Sequence, residues 1–153
     1  MADRIIVATF NDTNAAYDAA RAIQNLKQAG ITDFKLKTGV MLNKDNLGNV
    51  SLLESKDRTL FGTAVGTATG ALIGLLAGAP GMAVGAALGA TSGLGADAVM
   101  AAVDGDFVED VTSDLRPGTT AIIVEANEGS TRAVDDIVAL GCGHVYRQEA
   151  AQV

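Results

Sequence analysis

The chain of 153 residues has one cysteine, one histidine and no tryptophan. A single cysteine cannot form a disulfide within the chain, and one Cys with one His cannot build a zinc site of these ligands. Aromatic residues make up 4% of the chain and charged residues 19%, whereas 18 residues are glycine. The apolar content of 48% therefore consists largely of small side chains, and a single domain of this length can bury it.

Basic residues are also scarce, with 11 Lys and Arg against 18 Asp and Glu. A net charge of −7 is the opposite of what a phosphate-binding surface needs, so we expect no nucleic-acid partner. Asp3 and Arg4 stand where the apolar run of a signal peptide would begin. We therefore expect no secretory signal and a cytoplasmic location.

Charge divides the chain into three parts. Residues 1–58 carry eight basic and seven acidic side chains, residues 59–96 carry none, and residues 97–153 carry three basic and eleven acidic ones. This pattern predicts an α+β module formed by residues 1–58 and 104–153, interrupted by an apolar helical hairpin at residues 59–103.

The flanking module shows strand and helix patterns in alternation. Continuous apolar runs at residues 4–10 and 119–125 predict two neighbouring central strands, and alternation over residues 34–42 predicts a half-exposed strand with a returning arm at residues 50–54. Helices are expected after Asp12 or Thr13 with a stop at Gly30, at residues 106–115, and from Ser130 to Gly141, before a short strand near His144. The order predicts a ferredoxin-like βαββαβ sheet with the inserted hairpin and an extra C-terminal αβ unit.

Glycines in the insert recur at every fourth residue, in two sets separated by Pro80. On an α-helix this spacing places them on one stripe, where another backbone can approach closely. Five glycines in one helix are tolerable only where close packing offsets a cost of roughly 1 kcal/mol each. The corner at Pro80 and Gly81 predicts two arms, residues 61–79 and 81–103. The predicted interface residues are Gly62, Gly66, Gly70, Gly74, Gly78, Gly81, Gly85, Gly89 and Gly93.

Three environments could cover such a hairpin: its own domain, other copies of the chain, or a membrane. The leading hypothesis is a non-enzymatic protein whose hairpins cluster into a homo-oligomer with a shared apolar core, able to touch a bilayer or accommodate a lipidic molecule. The alternative is a membrane-inserted hairpin with a role in envelope stress or anchoring. Lys56 and Arg58 would keep its open end at the inner face of the cytoplasmic membrane. A small-molecule sensor is a third reading, by fold analogy alone.

No catalytic residues, cofactor site or metal site are expected. The glycine ladder lacks the lysine of a phosphate-binding loop, and the Gly-x-Gly patterns at residues 93–95 and 141–143 fit turns or helix ends. Cys142 and His144 could form half of a metal site or a nucleophile pair, or be ordinary strand residues. Lys35 and Lys37 fit the exposed face of a strand. The acidic cluster at the third helix fits a solvated helix face; its members are Asp104, Asp106, Glu109, Asp110 and Asp114.

Several of these segments together resemble a known family. They are the opening strand, the turn at residues 46–50, the glycine-rich hairpin, the helix start at Asp106 and Phe107, and the strand entry with Leu115, Pro117 and Gly118. In these the chain is similar to a bacterial group of predicted membrane proteins, the domain-of-unknown-function family 1269. The resemblance covers nearly the whole length and implies a membrane-associated hairpin. It brings no catalytic residues.

Overall fold

The computed structural model describes residues 2–26, 29–47, 50–52 and 105–149. The glycine ladder and both predicted arms of the hairpin lie outside the described residues. The described elements, in chain order, are β1 (Ala2–Phe10), α1 (Thr13–Gln24), β2 (Phe34–Lys44), β3 (Val50–Leu52), α2 (Gly105–Asp114), β4 (Thr120–Glu128), α3 (Arg132–Leu140) and β5 (His144–Glu149).

The five strands form one antiparallel sheet in the order β3-β2-β4-β1-β5. The protein is therefore a mixed α+β structure. As predicted, β1 and β4 are central neighbours, and β3 is the returning arm of a hairpin with β2. Ile5, Ile6 and Val7 follow one another in β1 and are all buried, so both faces of this strand are covered.

One face of the sheet packs against α1 and α3. Ala16, Ala20 and Ile23 of α1 are buried there, with Val134 and Val138 of α3. These helices meet a layer of strand residues that alternate along each strand and so point to the same side. The layer consists of Ile6, Ala8, Phe10, Phe34, Met41, Ile122, Val124 and Ala126.

The opposite face carries α2, which contacts β5. Phe107, Val111 and Leu115 are buried, as the helical pattern of residues 106–115 predicts. The three helices that the structure describes include none long and apolar enough to cross a membrane.

The predicted half-exposed character of β2 is wrong for its second half. A register irregularity falls between Leu36 and Thr38, so Leu36 pairs with Ala126 whereas Thr38 pairs with Glu125. Lys37 is the extra residue at the bulge and shifts the alternation of side chains by one. After it, each side chain of β2 points to the face opposite the one that strict alternation predicts. Met41 and Leu42 are consequently both buried, on opposite faces. Lys35 and Lys37 are exposed, as predicted.

The last αβ unit is part of the main layers, although the sequence predicts it as an addition. β5 pairs with β1 over six residue pairs, and α3 contacts α1. The reason is that β1 has β4 on one side only, so its other edge is available for pairing. The helix that stands apart from the other two is α2.

Two helix ends also differ from expectation. Asp12 caps α1, since its Oδ1 accepts the N–H of Asn14 at 3.0 Å, but the helix ends at Gln24 rather than at Gly30. Gly30 does adopt a left-handed conformation, with φ of 90°, in the following loop. At α3 the N-cap residue is Thr131, and the Ser130 hydroxyl accepts the N–H of Arg132 at 3.3 Å.

Candidate functional site

One carboxylate oxygen at the end of α2 receives three hydrogen bonds. Asp114 Oδ2 accepts from Thr9 Oγ1 at 2.6 Å and from Tyr146 OH at 2.9 Å, and it lies 2.8 Å from His144 Nδ1. Thr9 belongs to β1, and the other two partners belong to β5. We call these four residues the Asp114 cluster.

The sheet register brings the donors together. Thr9 lies opposite His144 and Val7 lies opposite Tyr146, so all four side chains are on the face of α2. Asp114 follows Phe107 by seven residues, and this spacing returns it to the buried side of the helix. The cluster thereby joins the end of α2 to two neighbouring strands.

Hydrogen bonding changes the acid–base properties of this cluster. Burial raises the pKa of Asp114, but the hydrogen bonds from Thr9, His144 and Tyr146 lower it by more, so the pKa lies below its ordinary value of 3.8. Burial and the hydrogen bond to Asp114 raise the pKa of Tyr146 to about 12. At neutral pH the carboxylate is therefore ionised and the phenol is a donor.

A cavity of about 80 Å³ adjoins the cluster at the end of the sheet. Parts of three connections meet there: the end of β1, the turn after α2, and the turn between α3 and β5. We call it the Asp114 cavity, and its lining residues are Thr9, Asn11, Asp114, Arg116, Cys142 and His144.

The turn from α3 to β5 is shaped by contacts with Phe10. A Cβ on Gly143 would lie 2.7 Å from Phe10 Cε1 and 2.7 Å from the Thr9 carbonyl oxygen, so only glycine fits there. The left-handed residue that ends α3 is instead Cys142, with φ of 56°. Gly143 N–H donates to the Val138 carbonyl at 3.0 Å and closes the helix end. Cys142 is therefore held in a conformation that costs a non-glycine residue energy.

A second charge cluster lies on the α1 and α3 face. Glu128 has a fully buried side chain and accepts from Arg147 Nε at 2.5 Å and from Arg4 Nη1 at 3.3 Å. Arg147 also binds Asp135 at 2.7 Å and the Thr131 carbonyl at 3.2 Å. Burial lowers the pKa of Arg147, but its bonds to Glu128 and Asp135 raise it by more. We call this the Glu128 cluster.

The residues singled out in the sequence have different outcomes. The nine ladder glycines lie outside the described residues, as does Asp104. Cys142 and His144 line one cavity, and Gly141 to Gly143 is a helix end, as predicted. Asp106, Glu109 and Asp110 are exposed on α2, in agreement with a solvated helix face. Within the described ranges, no group of three or more His, Cys, Asp or Glu side chains could hold a metal ion.

Sequence reasoning did not identify four of the cavity residues as site residues: Thr9, Asn11, Asp114 and Arg116. The run of acidic residues groups Asp114 with the solvated acids, although its spacing from Phe107 and Val111 puts it at the border of the apolar face. Nothing in the sequence shows that this border faces a histidine 30 residues later.

The family model described as "Protein of unknown function (DUF1269)" matches residues 61–149, more than half of the chain. No curated protein and no solved structure matches.

Proposed function

Since the chain belongs to the DUF1269 family of proteins of unknown function, we propose a function from its own residues: it is a non-enzymatic protein that self-associates through the insert at residues 59–103. The observation that carries this proposal is the four-residue spacing of nine glycines within a stretch that is uncharged from residue 59 to residue 96. A linker needs no such regularity, whereas close helix packing does.

The described module supports this division of roles. The insert follows β3, a strand of three residues at one edge of the sheet, and precedes α2, which contacts β5 at the other edge. Neither attachment interrupts the central strands β1, β2 and β4. The module can therefore carry a large insert without loss of its main core.

We also propose the finer description of the fold. β4 lies between β1 and β2, and β1 lies between β4 and β5. The units β1-α1-β2 and β4-α3-β5 would thus be the two split βαβ halves of a ferredoxin-like sheet, with β3, the insert and α2 added between them. The insert itself would be a glycine-zipper helical hairpin with its corner at Pro80 and Gly81.

The oligomer would be cytoplasmic, with the chain itself as its partner and a shared apolar core that can meet a lipidic molecule. The alternative is insertion of the hairpin into the inner face of the cytoplasmic membrane. The two are separated by expression without detergent, followed by sedimentation and size exclusion with light scattering. A defined multimer of the 15.5 kDa chain supports the first, and quantitative recovery with membranes supports the second. A detergent-free monomer contradicts both.

The ladder itself is tested by adding bulk on and off its stripe. Gly70→Leu with Gly89→Leu blocks close approach of helix backbones and should reduce the multimer to smaller species. Ala68→Leu with Ala87→Leu adds similar bulk two residues earlier, about 200° around each helix, and should leave the mass unchanged. An equal effect of both pairs would contradict packing through the glycine stripe.

A further inference from the structure

The chain's single histidine, His144, and Arg116 line the Asp114 cavity together. Arg116 is exposed and, within the described residues, its side chain makes no hydrogen bond or ion pair, in contrast to Arg147 in the Glu128 cluster. Residues 97–153 carry three basic and eleven acidic side chains. A guanidinium that makes no ion pair with the described residues is therefore unusual in this part of the chain.

Several of the groups that line this cavity can donate hydrogen bonds. Asp114 Oδ2 is already occupied by three partners, and His144 meets it through Nδ1. That contact fixes the imidazole and leaves Nε2 for another partner, with 67% of the side chain exposed. The Arg116 guanidinium has five N–H groups, and the Asn11 amide adds two more.

We propose that the Asp114 cavity binds a small oxyanion, either a carboxylate or a phosphate group, between Arg116 and His144. The planar fork of a guanidinium matches the oxygen pairs of both groups. When its imidazole carries both protons, His144 can donate from Nε2 to the same group. A cavity of about 80 Å³ has room for a group of this size.

Cys142 provides a direct test, because it is the only cysteine of the chain, is exposed and lines the same cavity. An anion seated there should shield its thiol. The measurement is the rate of Cys142 alkylation by neutral iodoacetamide on the full-length protein, followed by intact mass. Inorganic phosphate and acetate are titrated separately at constant ionic strength, maintained with NaCl, so that screening does not change.

We expect at least one of the two anions to slow alkylation about fivefold in a saturable manner. Arg116→Ala should reduce this protection to less than twofold. Arg132→Ala is the matched control, because it removes the same charge from an exposed position that does not line the cavity, and it should keep the protection of the unchanged protein. The anion that protects identifies the ligand as a carboxylate or a phosphate.

The charged reagent iodoacetate gives a second readout. Its carboxylate should be attracted to Arg116, so the ratio of iodoacetate to iodoacetamide rates should fall several-fold in Arg116→Ala and stay constant in Arg132→Ala. Protection by neither anion, or equal behaviour of the two arginine variants, would overturn the proposal. Because the readout does not depend on particle mass, its failure is separate from failure of the proposed self-association.

Discussion

The Glu128 and Asp114 clusters lie on opposite faces of the sheet and stabilise a carboxylate in different ways. Glu128 has no exposed side-chain surface and is matched by two arginines. Asp114 keeps 15% of its side-chain surface and is held by two hydroxyls and an imidazole. The charges of the Glu128 cluster are paired with one another. The Asp114 cluster instead adjoins a cavity lined by Arg116, whose side chain makes no ion pair with any residue that the structure describes. The difference suggests that the first serves stability and the second serves binding.

The largest effect is expected from Glu128→Ala. It leaves Arg147 largely buried, with Asp135 as its remaining ion-pair partner among the described residues. Removing one member of a buried pair costs about 3 to 5 kcal/mol. The free energy of unfolding, measured by urea titration, should fall by about 3 kcal/mol. Glu149→Ala, at the exposed end of β5, is the control and should change it by less than about 0.5 kcal/mol. A loss below about 1 kcal/mol would contradict the interpretation that the buried charges of this cluster stabilise the fold by pairing with one another.

A smaller effect is expected from Asp114→Asn. The substitution keeps the shape but removes the charge that three partners share, and hydrogen bonds to a charged group are worth about 1.5 to 3 kcal/mol before solvent exposure reduces them. We expect a loss of about 1 to 2 kcal/mol at pH 7. Glu109→Gln, an exposed position on the same helix, is the control. A loss as large as that of Glu128→Ala would remove the distinction between the two clusters.

The effect of Asp114→Asn should also depend on pH in a defined direction. A carboxyl group whose pKa is lowered on folding adds stability above its unfolded value of 3.8, and this contribution disappears as the pH falls through the folded value. The difference in stability between the two proteins should therefore narrow as the pH falls below 3.8. A constant difference in stability from pH 7 to pH 2.5 would mean that the charge of Asp114 does not contribute to the loss in the variant.

Tyr146→Phe tests the same cluster at the alkaline end, with an expected loss of about 1 kcal/mol at pH 7. Because the pKa of Tyr146 is raised from 10.0 to about 12, the protonated phenol adds stability below pH 10 that is lost as the pH rises towards 12. The difference between the variant and the unchanged protein should narrow over that interval. Tyr17→Phe, at the other tyrosine of the chain, is the matched control.

The sequence predicts the layers of this fold better than the contacts between them. The apolar runs of β1 and β4 identify the central strands because strands buried on both faces need continuous apolar residues. The face reversal in β2 is not predictable, because Lys37 looks like any exposed lysine until the register with β4 is known. The Asp114 cluster is missed for the same reason. Asp114 is 105 residues from Thr9 and 32 from Tyr146 in sequence, and they meet only because β1 pairs with β5 and α2 packs against that strand.

The smallest expected change in the free energy of unfolding is that of Cys142→Gly, and it is a gain where the other variants show a loss. Cys142 is held at φ of 56° because Gly143 occupies the position against Phe10 and Thr9. Glycine removes a left-handed strain of about 1 to 2 kcal/mol, partly offset by the greater freedom of glycine in the unfolded chain, so stability should rise by about 0.5 to 1 kcal/mol. Cys142→Ala removes the thiol but keeps the Cβ and should give no gain. If Cys142→Ala raises the free energy of unfolding as much as Cys142→Gly, the gain comes from removal of the thiol and not from relief of backbone strain. If only Cys142→Gly raises the free energy of unfolding, the backbone of Cys142 is strained at the cavity where we propose that the anion binds.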